Sequence, residues 1–355
     1  MRHTMRDLLK VLSDRGASDL HLSANARIVI RVDENLVPYG EDPLTAEEAK
    51  RLTYELLSKD QAAKFERDYE LDMAYELADV ARYRVNAFIE RGHVSCSVRV
   101  IPFRIMDFRE CGLPVDVVTS LCRVPKGLVL ITGATGSGKS TSLASMVDYI
   151  NEQRACHIIT IEDPIEFVHK NKKALIHQRE VYSDTHSFGD ALKHILRQDP
   201  DVILIGEMRD LETIESALII AETGHLVFAT LHTSDCSQTI NRVIDVFPAY
   251  QQRQIRTQLS FVLSGILSQQ LIPKASGSGR VLATEIMIAN AAIRSLIREM
   301  KVHQIYSTIQ TSQREGMKTM NQALFELYQK KAISYDDAVL RTTDLEGLKR
   351  LFVKS

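Results

Sequence analysis

Gly133-Ala134-Thr135-Gly136-Ser137-Gly138-Lys139-Ser140-Thr141 is the stretch that decides how the rest of the chain is read. It fits the phosphate-binding loop pattern G-x-x-x-x-G-K-[ST]. Its flanks agree, because Leu128-Val129-Leu130-Ile131-Thr132 reads as a buried strand and Thr141-Ser142-Leu143-Ala144-Ser145-Met146-Val147 as the helix that follows. A nucleotide β-phosphate needs several N–H donors converging on one point. Gly133, Gly136 and Gly138 permit the tight turn and close approach, and the new helix presents its positive end to the anion. Lys139 suits a bridge between the β- and γ-phosphates, and the Ser140 hydroxyl suits a Mg²⁺ ligand. The predicted nucleotide-binding residues are Gly133, Thr135, Gly136, Ser137, Gly138, Lys139, Ser140 and Thr141, with ATP and Mg²⁺ as ligands.

At 355 residues the chain has room for two domains and a sizeable core. A content of 45% hydrophobic and 25% charged residues is that of an ordinary soluble globular protein. The 44 Lys plus Arg nearly balance the 46 Asp plus Glu, so the whole chain carries no electrostatic footprint for nucleic acid. Cysteines 96, 111, 122, 156 and 236 form no C-x-x-C pair, which points to neither a zinc site nor a disulfide framework and fits a reducing, cytoplasmic setting. The start, Met1-Arg2-His3-Thr4-Met5-Arg6-Asp7, lacks a signal-peptide apolar core, and no run approaches the roughly 18 apolar residues of a membrane span.

Residues 1–105 read as a separate α+β domain. Asp7 to Leu12 suggests a short helix, Leu20-His21-Leu22 and Arg27 to Val32 suggest strands, and Thr45-Ala46-Glu47-Glu48 is a capping box opening a helix to about Ser58. Alternation over Arg82 to Phe88 and Ser95 to Val100 predicts a hairpin or adjacent strands. Arg82 and Arg84 share one side of their strand, as do Ser95, Ser97 and Arg99 of theirs. Such arginines are either solvated surface or a reach to a phosphate on a neighbouring subunit.

Residues 106–126, with breakers at Gly112-Leu113-Pro114 and Val124-Pro125-Lys126-Gly127, read as a linker. From 127 to 290 strands and helices alternate. Leu128–Thr132, His157–Ile161, Val202–Gly206 and Leu226–Thr230 are buried-type strands, with helices Ser140–Asn151, Phe188–Gln198 and Leu211–Thr223 between them. That order implies a mostly parallel sheet covered on both faces, whose ligands sit beyond the carboxyl ends of the strands. Three strands deliver polar groups there: Glu162-Asp163-Pro164-Ile165-Glu166, Glu207-Met208-Arg209-Asp210 and Leu231-His232-Thr233. Carboxylates at two strand tips suit hydrolysis, one holding Mg²⁺ through water and one orienting the attacking water. His232 is placed to sense the γ-phosphate. The remainder reads as helical, with Arg253 to Gln270 as one amphipathic stretch, Val281 to Ile288 as a strand, and residues 291–355 as a C-terminal helical segment. There Ile293, Leu296 and Ile297 make an apolar stripe opposite Arg294 and Arg298, a basic edge that is either solvated or functional.

Taken together, these segments give the chain its resemblance to the secretion-superfamily ATPases, and most closely to the type IV pilus retraction (twitching-motility, PilT) ATPases, over nearly its whole length. The carriers are Gly16-Ala17-Ser18-Asp19-Leu20-His21-Leu22, Ile161 to His169, Arg197-Gln198-Asp199-Pro200-Asp201, the atypical Walker B Leu204 to Asp210, the histidine segment Thr223 to Thr233, and the helix 292–299. The resemblance implies a RecA-like P-loop core behind a PAS-like N-terminal domain, assembled as a homohexamer. It assigns water activation to Glu166, the Walker B position near Mg²⁺ to Glu207, and the γ-phosphate region to His232, with Arg209 of the Walker B segment as a further catalytic candidate. It also assigns an approach from an adjacent domain or subunit to Arg84 and Arg99. Ala134 stands where Pro is common, Ser295 where Asn is usual, and Glu34-Asn35 where a glycine turn follows Asp33. A four-cysteine insertion and a long N-terminal extension, usual in the assembly-type relatives, are not in the sequence.

The implied function is a Mg²⁺-dependent ATPase motor for pilus retraction, working through an inner-membrane platform protein at the cytoplasmic face of the bacterial membrane, with paralogous pilus ATPases as further partners. Two alternatives stand beside it: a regulatory paralogue that binds nucleotide and modulates another hexamer, and a nucleic-acid translocase, against which the balanced charge argues.

Overall fold

The computed structural model describes residues 3–32, 35–77, 80–101 and 104–353. The chain divides into two compact units, Met1–Arg104 and Ile105–Ser355. Asp33 and Glu34, beside the position of the family's glycine turn, lie outside the described residues.

The first unit runs α1 (Met5–Asp14), β1 (Asp19–Leu22), β2 (Ile28–Val32), β3 (Asn35–Tyr39), α2 (Ala46–Tyr54), α3 (Lys59–Asp68), β4 (Glu70–Leu77), β5 (Ala81–Glu90) and β6 (His93–Ile101). Its six strands pair in the order β3-β2-β1-β6-β5-β4, with every neighbouring pair antiparallel. Leu8, Leu9 and Leu12 of α1, Leu52 of α2 and Phe65 of α3 meet Tyr83, Val85 and Ala87 of β5 in one buried cluster. Fully burying each such side chain contributes about 1.5–3 kcal/mol. The Thr45–Glu48 capping box forms as expected, but the helix it opens stops at Tyr54 rather than near Ser58. Ser58 begins a second capping box with Gln61 and starts α3. The sequence reading carried that helix too far and missed α3, because Ser58 was taken as an end when its side chain is a cap.

In the second unit α4 (Val115–Arg123) precedes β7 (Gly127–Thr132), α5 (Lys139–Gln153), β8 (His157–Glu162), β9 (Leu175–Glu180), α6 (Phe188–Ile195), β10 (Val202–Ile205), α7 (Leu211–Glu222) and β11 (Leu226–Leu231). There follow α8 (Cys236–Asp245), α9 (Ala249–Val262), β12 (Leu263–Pro273), β13 (Arg280–Ile288), α10 (Ala291–Arg298), α11 (Ile305–Thr311), α12 (Met320–Gln329), α13 (Tyr335–Arg341) and α14 (Leu345–Val353). The seven strands are ordered β13-β12-β7-β11-β10-β8-β9, and β13 alone runs antiparallel to its neighbour. Alternation along β7 divides the core. Leu128 and Leu130 pack with α6 to α11, while Val129 and Ile131 pack with α4 and α5. A doubly covered parallel sheet follows from strands that are apolar on both sides.

Two expectations need correction. The stretch Arg253–Gln270 is not one helix. It breaks at Val262, and Leu263 onward becomes β12, hydrogen-bonded to β7. The apolar spacing suited either reading, and the open edge of β7 decided it: Leu263, Ile266 and Leu267 are fully buried there. Gly265 permits the approach, since a Cβ on it would lie 3.0 Å from Leu121 and 3.1 Å from the Met287 carbonyl. The stretch 106–126, read as a linker, carries α4, whose Val118, Leu121 and Cys122 are buried in the core that covers β7.

The basic edge of α10 is likewise no free surface at Arg294. Its guanidinium donates to the carbonyls of Ser260 and Phe261, each at 2.6 Å, of Leu263 at 2.9 Å, and of Ala289 at 2.8 Å. The orphan carbonyls at the end of α9 are satisfied by a side chain from another helix. Arg298 stacks over the Phe261 ring, 5.9 Å from its centroid.

Candidate functional site

Because β7, β11, β10 and β8 are adjacent and parallel, their carboxyl ends share one edge of the sheet. The loop after β7 is shaped by glycine. Gly133 has φ +139°, and a Cβ there would lie 2.4 Å from the Gln269 carbonyl and 2.6 Å from Ser137 Oγ. Gly136 and Gly138 also take positive φ, and Gly138 is the N-cap of α5 without any side-chain cap. The first N–H groups of α5 therefore face outward without a capping oxygen, which is the arrangement an anion satisfies. Thr135 is exposed, Ser140 and Thr141 are half-buried on the first turn of α5, and Ser137 is buried. The Ser137 N–H closes the loop on the Ala134 carbonyl at 3.2 Å.

Lys139 Nζ donates to the carbonyls of Gly133 at 2.9 Å and Ala134 at 3.0 Å. Burial lowers its pKa, opposed by the nearby carboxylates of Glu207 and Glu166. That electrostatic reach places one ammonium within range of both acidic strand tips.

Glu207 leaves β10 after Gly206, whose backbone passes so close to β8 that a Cβ would sit 3.1 Å from the Ile161 carbonyl. Its Oε2 accepts from Arg209 at 2.8 Å, and its Oε1 lies 3.3 Å from His232 Nε2. Burial by itself raises the Glu207 pKa, but the Arg209 bond and the charges of His232 and Arg209 outweigh it and hold the carboxyl below its usual range. The carboxylate stays ionised, as a cation ligand must. The Thr230 hydroxyl donates to the Gly206 carbonyl at 2.5 Å, tying the end of β11 to that of β10. Glu166 is exposed on the irregular segment after β8, whereas Glu162 turns inward and is pushed up to about 7 by burial, despite bonds from Thr160 and Gln178.

Arg84 and Arg99 belong to the first unit, where they are direct cross-strand partners on β5 and β6. Like charges so placed repel, and each has an acid: Arg99 Nε lies 2.8 Å from Asp19, and Arg84 Nε lies 3.8 Å from Asp72. The second unit thus brings together Lys139, Glu207, Arg209 and His232, with Glu166 in electrostatic range, and the first unit brings together Arg84 and Arg99.

Sequence reasoning missed the floor of the phosphate loop. Ser268 Oγ bonds Thr132 Oγ1 at 2.8 Å, and Gln269 Nε2 donates to Ser142 Oγ at 2.8 Å; both β12 residues are buried. The signal was a Ser-Gln-Gln run inside an apolar stretch, hidden by reading that stretch as a helix.

The Mg²⁺ that such a site implies calls for oxygen ligands. A hydroxyl on the first helical turn and a carboxylate held ionised on the adjacent edge are the donor set this ion takes alongside phosphate oxygens.

Comparison with known proteins identifies the family. The family model for type II/IV secretion system protein matches residues 2–334. The type IV pilus retraction ATPase PilT of Pseudomonas aeruginosa is 50% identical over 332 residues, covering 94% of this chain and 96% of that protein. The twitching motility protein of Neisseria gonorrhoeae is 45% identical over 90% of this chain and 85% of its own length. The type IV pilus ATPase PilU of Pseudomonas aeruginosa is 38% identical over 98% and 90%. A crystal structure of the pilus retraction motor PilT with bound ADP superposes with a TM-score of 0.92 at 46% identity, covering 98% of this chain and 99% of that one. An ATP-type phosphate loop on a parallel sheet, acidic and histidine groups on its ligand edge, and likeness along the full length lead to one conclusion: the chain belongs to the type II/IV secretion system protein family and, within it, to the type IV pilus retraction ATPases.

Proposed function

We propose that this chain is an ATPase motor that powers type IV pilus retraction. In this reading it works as a ring of six copies at the cytoplasmic face of the bacterial inner membrane, with a platform protein as its docking partner. No helix among the described residues is long and apolar enough to cross a membrane. The observation that carries the reading is the meeting of a phosphate loop with two acidic strand tips and a histidine on one sheet edge, in a chain half identical to a retraction ATPase.

The residues divide the work of hydrolysis. The loop amides and the start of α5 bind phosphate, and Lys139 neutralises its charge. Glu166 orients the attacking water, His232 contacts the γ-phosphate region, and Arg209 holds Glu207 in place. Ser140 and Glu207 would hold Mg²⁺, directly or through water, and the bound ion would offset charge on the phosphate oxygens. Arg84 and Arg99 would reach the nucleotide from an adjacent domain or subunit, where a borrowed arginine adds ~10³ to 10⁵ in rate.

The test has two parts. In purified protein, Glu166→Gln should lower ATP turnover at least ~100-fold with nucleotide binding kept, and turnover at the wild-type rate removes the catalytic assignment. In a deletion strain, wild type but not Lys139→Ala should restore twitching, and unchanged motility on deletion removes the assigned biology. A second reading is a regulatory paralogue that binds nucleotide and modulates another hexamer; the chain is also similar to a second type IV pilus ATPase, PilU, over 98% of its length. Wild-type protein without steady-state turnover would select it.

A further inference from the structure

The segment 163–169, which carries Glu166, has no regular secondary structure, yet its backbone is gripped on both sides of that residue. The grips come from the strand β9 at the sheet edge. Gln178 Oε1 accepts from the His169 N–H at 2.8 Å, and Gln178 Nε2 donates to the Phe167 carbonyl at 2.8 Å. The same amide donates to Glu162 Oε1 at 3.2 Å, where the Thr160 hydroxyl also donates at 2.7 Å. Glu162 in turn accepts from the Glu166 backbone N–H. Upstream, Glu180 Oε2 accepts from the Ile165 N–H at 3.1 Å.

Register explains the placement. Thr160 pairs with Gln178 and Glu162 with Glu180 across the parallel β8–β9 ladder, so all four side chains stand on one face of the sheet. A slip of one residue would present His177 and Arg179 in their stead. An edge strand normally threatens unwanted pairing. Here two of its side chains are spent on backbone groups that a loop would otherwise leave to water.

We infer that Gln178, with Glu162 and Glu180, is a positioning device for Glu166, fixing the backbone on either side of that carboxylate so that it meets its water in one place. The inference rests on the role given to Glu166 above. Gln178 touches no substrate and acts only through the segment it holds.

The experiment is a two-residue kinetic cycle on the full-length protein, measuring kcat, KM for ATP and the affinity for a fluorescent nucleotide. Gln178→Ala should lower kcat ~10- to 100-fold, the scale of a misplaced catalytic group, with KM and affinity within ~2-fold. In the Glu166→Gln background the same change should cost nothing further, because the group it positions is already disabled. Gln178→Glu keeps the acceptor for His169 but loses the donor to Phe167 and Glu162, and it should lower kcat at least as far, with KM and nucleotide affinity again within ~2-fold. Should Glu166→Gln itself leave turnover intact, the catalytic assignment fails. A normal Glu166→Gln defect with unchanged kcat in both Gln178 variants overturns the positioning role instead. So does a kcat loss matched by lost nucleotide affinity, or one that multiplies with Glu166→Gln, because each would make the strand a general support.

Discussion

The phosphate loop and the acidic segment 163–169 lie on the same ligand edge, yet they are held in unlike ways. The loop is shaped by its own nine residues: glycines at positive φ, the Ser137-to-Ala134 turn and the helix that begins at once, with β12 as floor. Beyond Asp163-Pro164 the segment has no turn residues of its own. It is shaped by side chains that arrive from β9, through Gln178 and Glu180, while Asn151 of α5 holds the chain just after it, at the Lys170 carbonyl and the Lys172 N–H. A binding surface made of backbone can be written contiguously, whereas a side chain that must point one way is held by residues distant in sequence.

The largest effect expected from breaking this contrast is on the loop. Gly133→Ala places a methyl 2.4 Å from a backbone carbonyl at a φ that only glycine takes easily. It should abolish nucleotide binding and lower turnover at least ~1000-fold, a loss of ~4 kcal/mol or more; isothermal titration with a nucleotide analogue checks it, and retained affinity would show that the loop tolerates rebuilding. An intermediate effect is expected at Glu162. Its carboxyl is pushed up to about 7 by burial, so the folded chain holds that proton more tightly than the unfolded chain, whose carboxyl titrates near 4.3. The associated stability is fully present below about pH 4 and lost as pH rises through about 7. Glu162→Gln, which stays neutral, should remove ~2–3 kcal/mol of pH dependence between pH 5 and 8 and be the more stable protein at pH 8. Denaturant midpoints at the two pH values decide it, and parallel curves for the two proteins sink the assignment. The smallest effect is expected at Lys172, which lies 2.8 Å from Asp148 and 2.7 Å from Glu152 on the surface. Lys172→Ala should cost no more than ~0.5 kcal/mol and leave kcat unchanged, because exposed ion pairs contribute little and the backbone bonds of Asn151 remain. A tenfold fall in kcat there would mean that the segment depends on charge rather than on its buried grips.

Legibility followed the range of the forces. The strand and helix around Gly133 were readable because apolar period, glycine and Lys139 stand side by side. Glu166, Glu207 and His232 were readable as strand-tip groups once the sheet was seen to be parallel. The third helix of the first unit, the edge strand β9 and the strand β12 were not: Leu175-Ile176-His177-Gln178-Arg179-Glu180 is too polar to announce a strand, and Leu263–Pro273 has a spacing that fits helix and strand alike. Arg294 read as half of a basic edge, and its four carbonyl partners come from α9, β12 and the residue after β13.

By itself the sequence determined a phosphate-binding loop between a buried strand and a helix, three of the parallel strands that follow it, and the residue types at their tips. Those rest on neighbours within a few positions, where propensity, periodicity and glycine's freedom act. Only the tertiary structure decided that β12 would close the sheet beside β7, that Gln178 would face Thr160, and that Arg209 and His232 would share one carboxylate. Each of those is a pairing across the sheet, set by which edge lies open and which register buries the most apolar surface, and neither can be read before the strands are side by side.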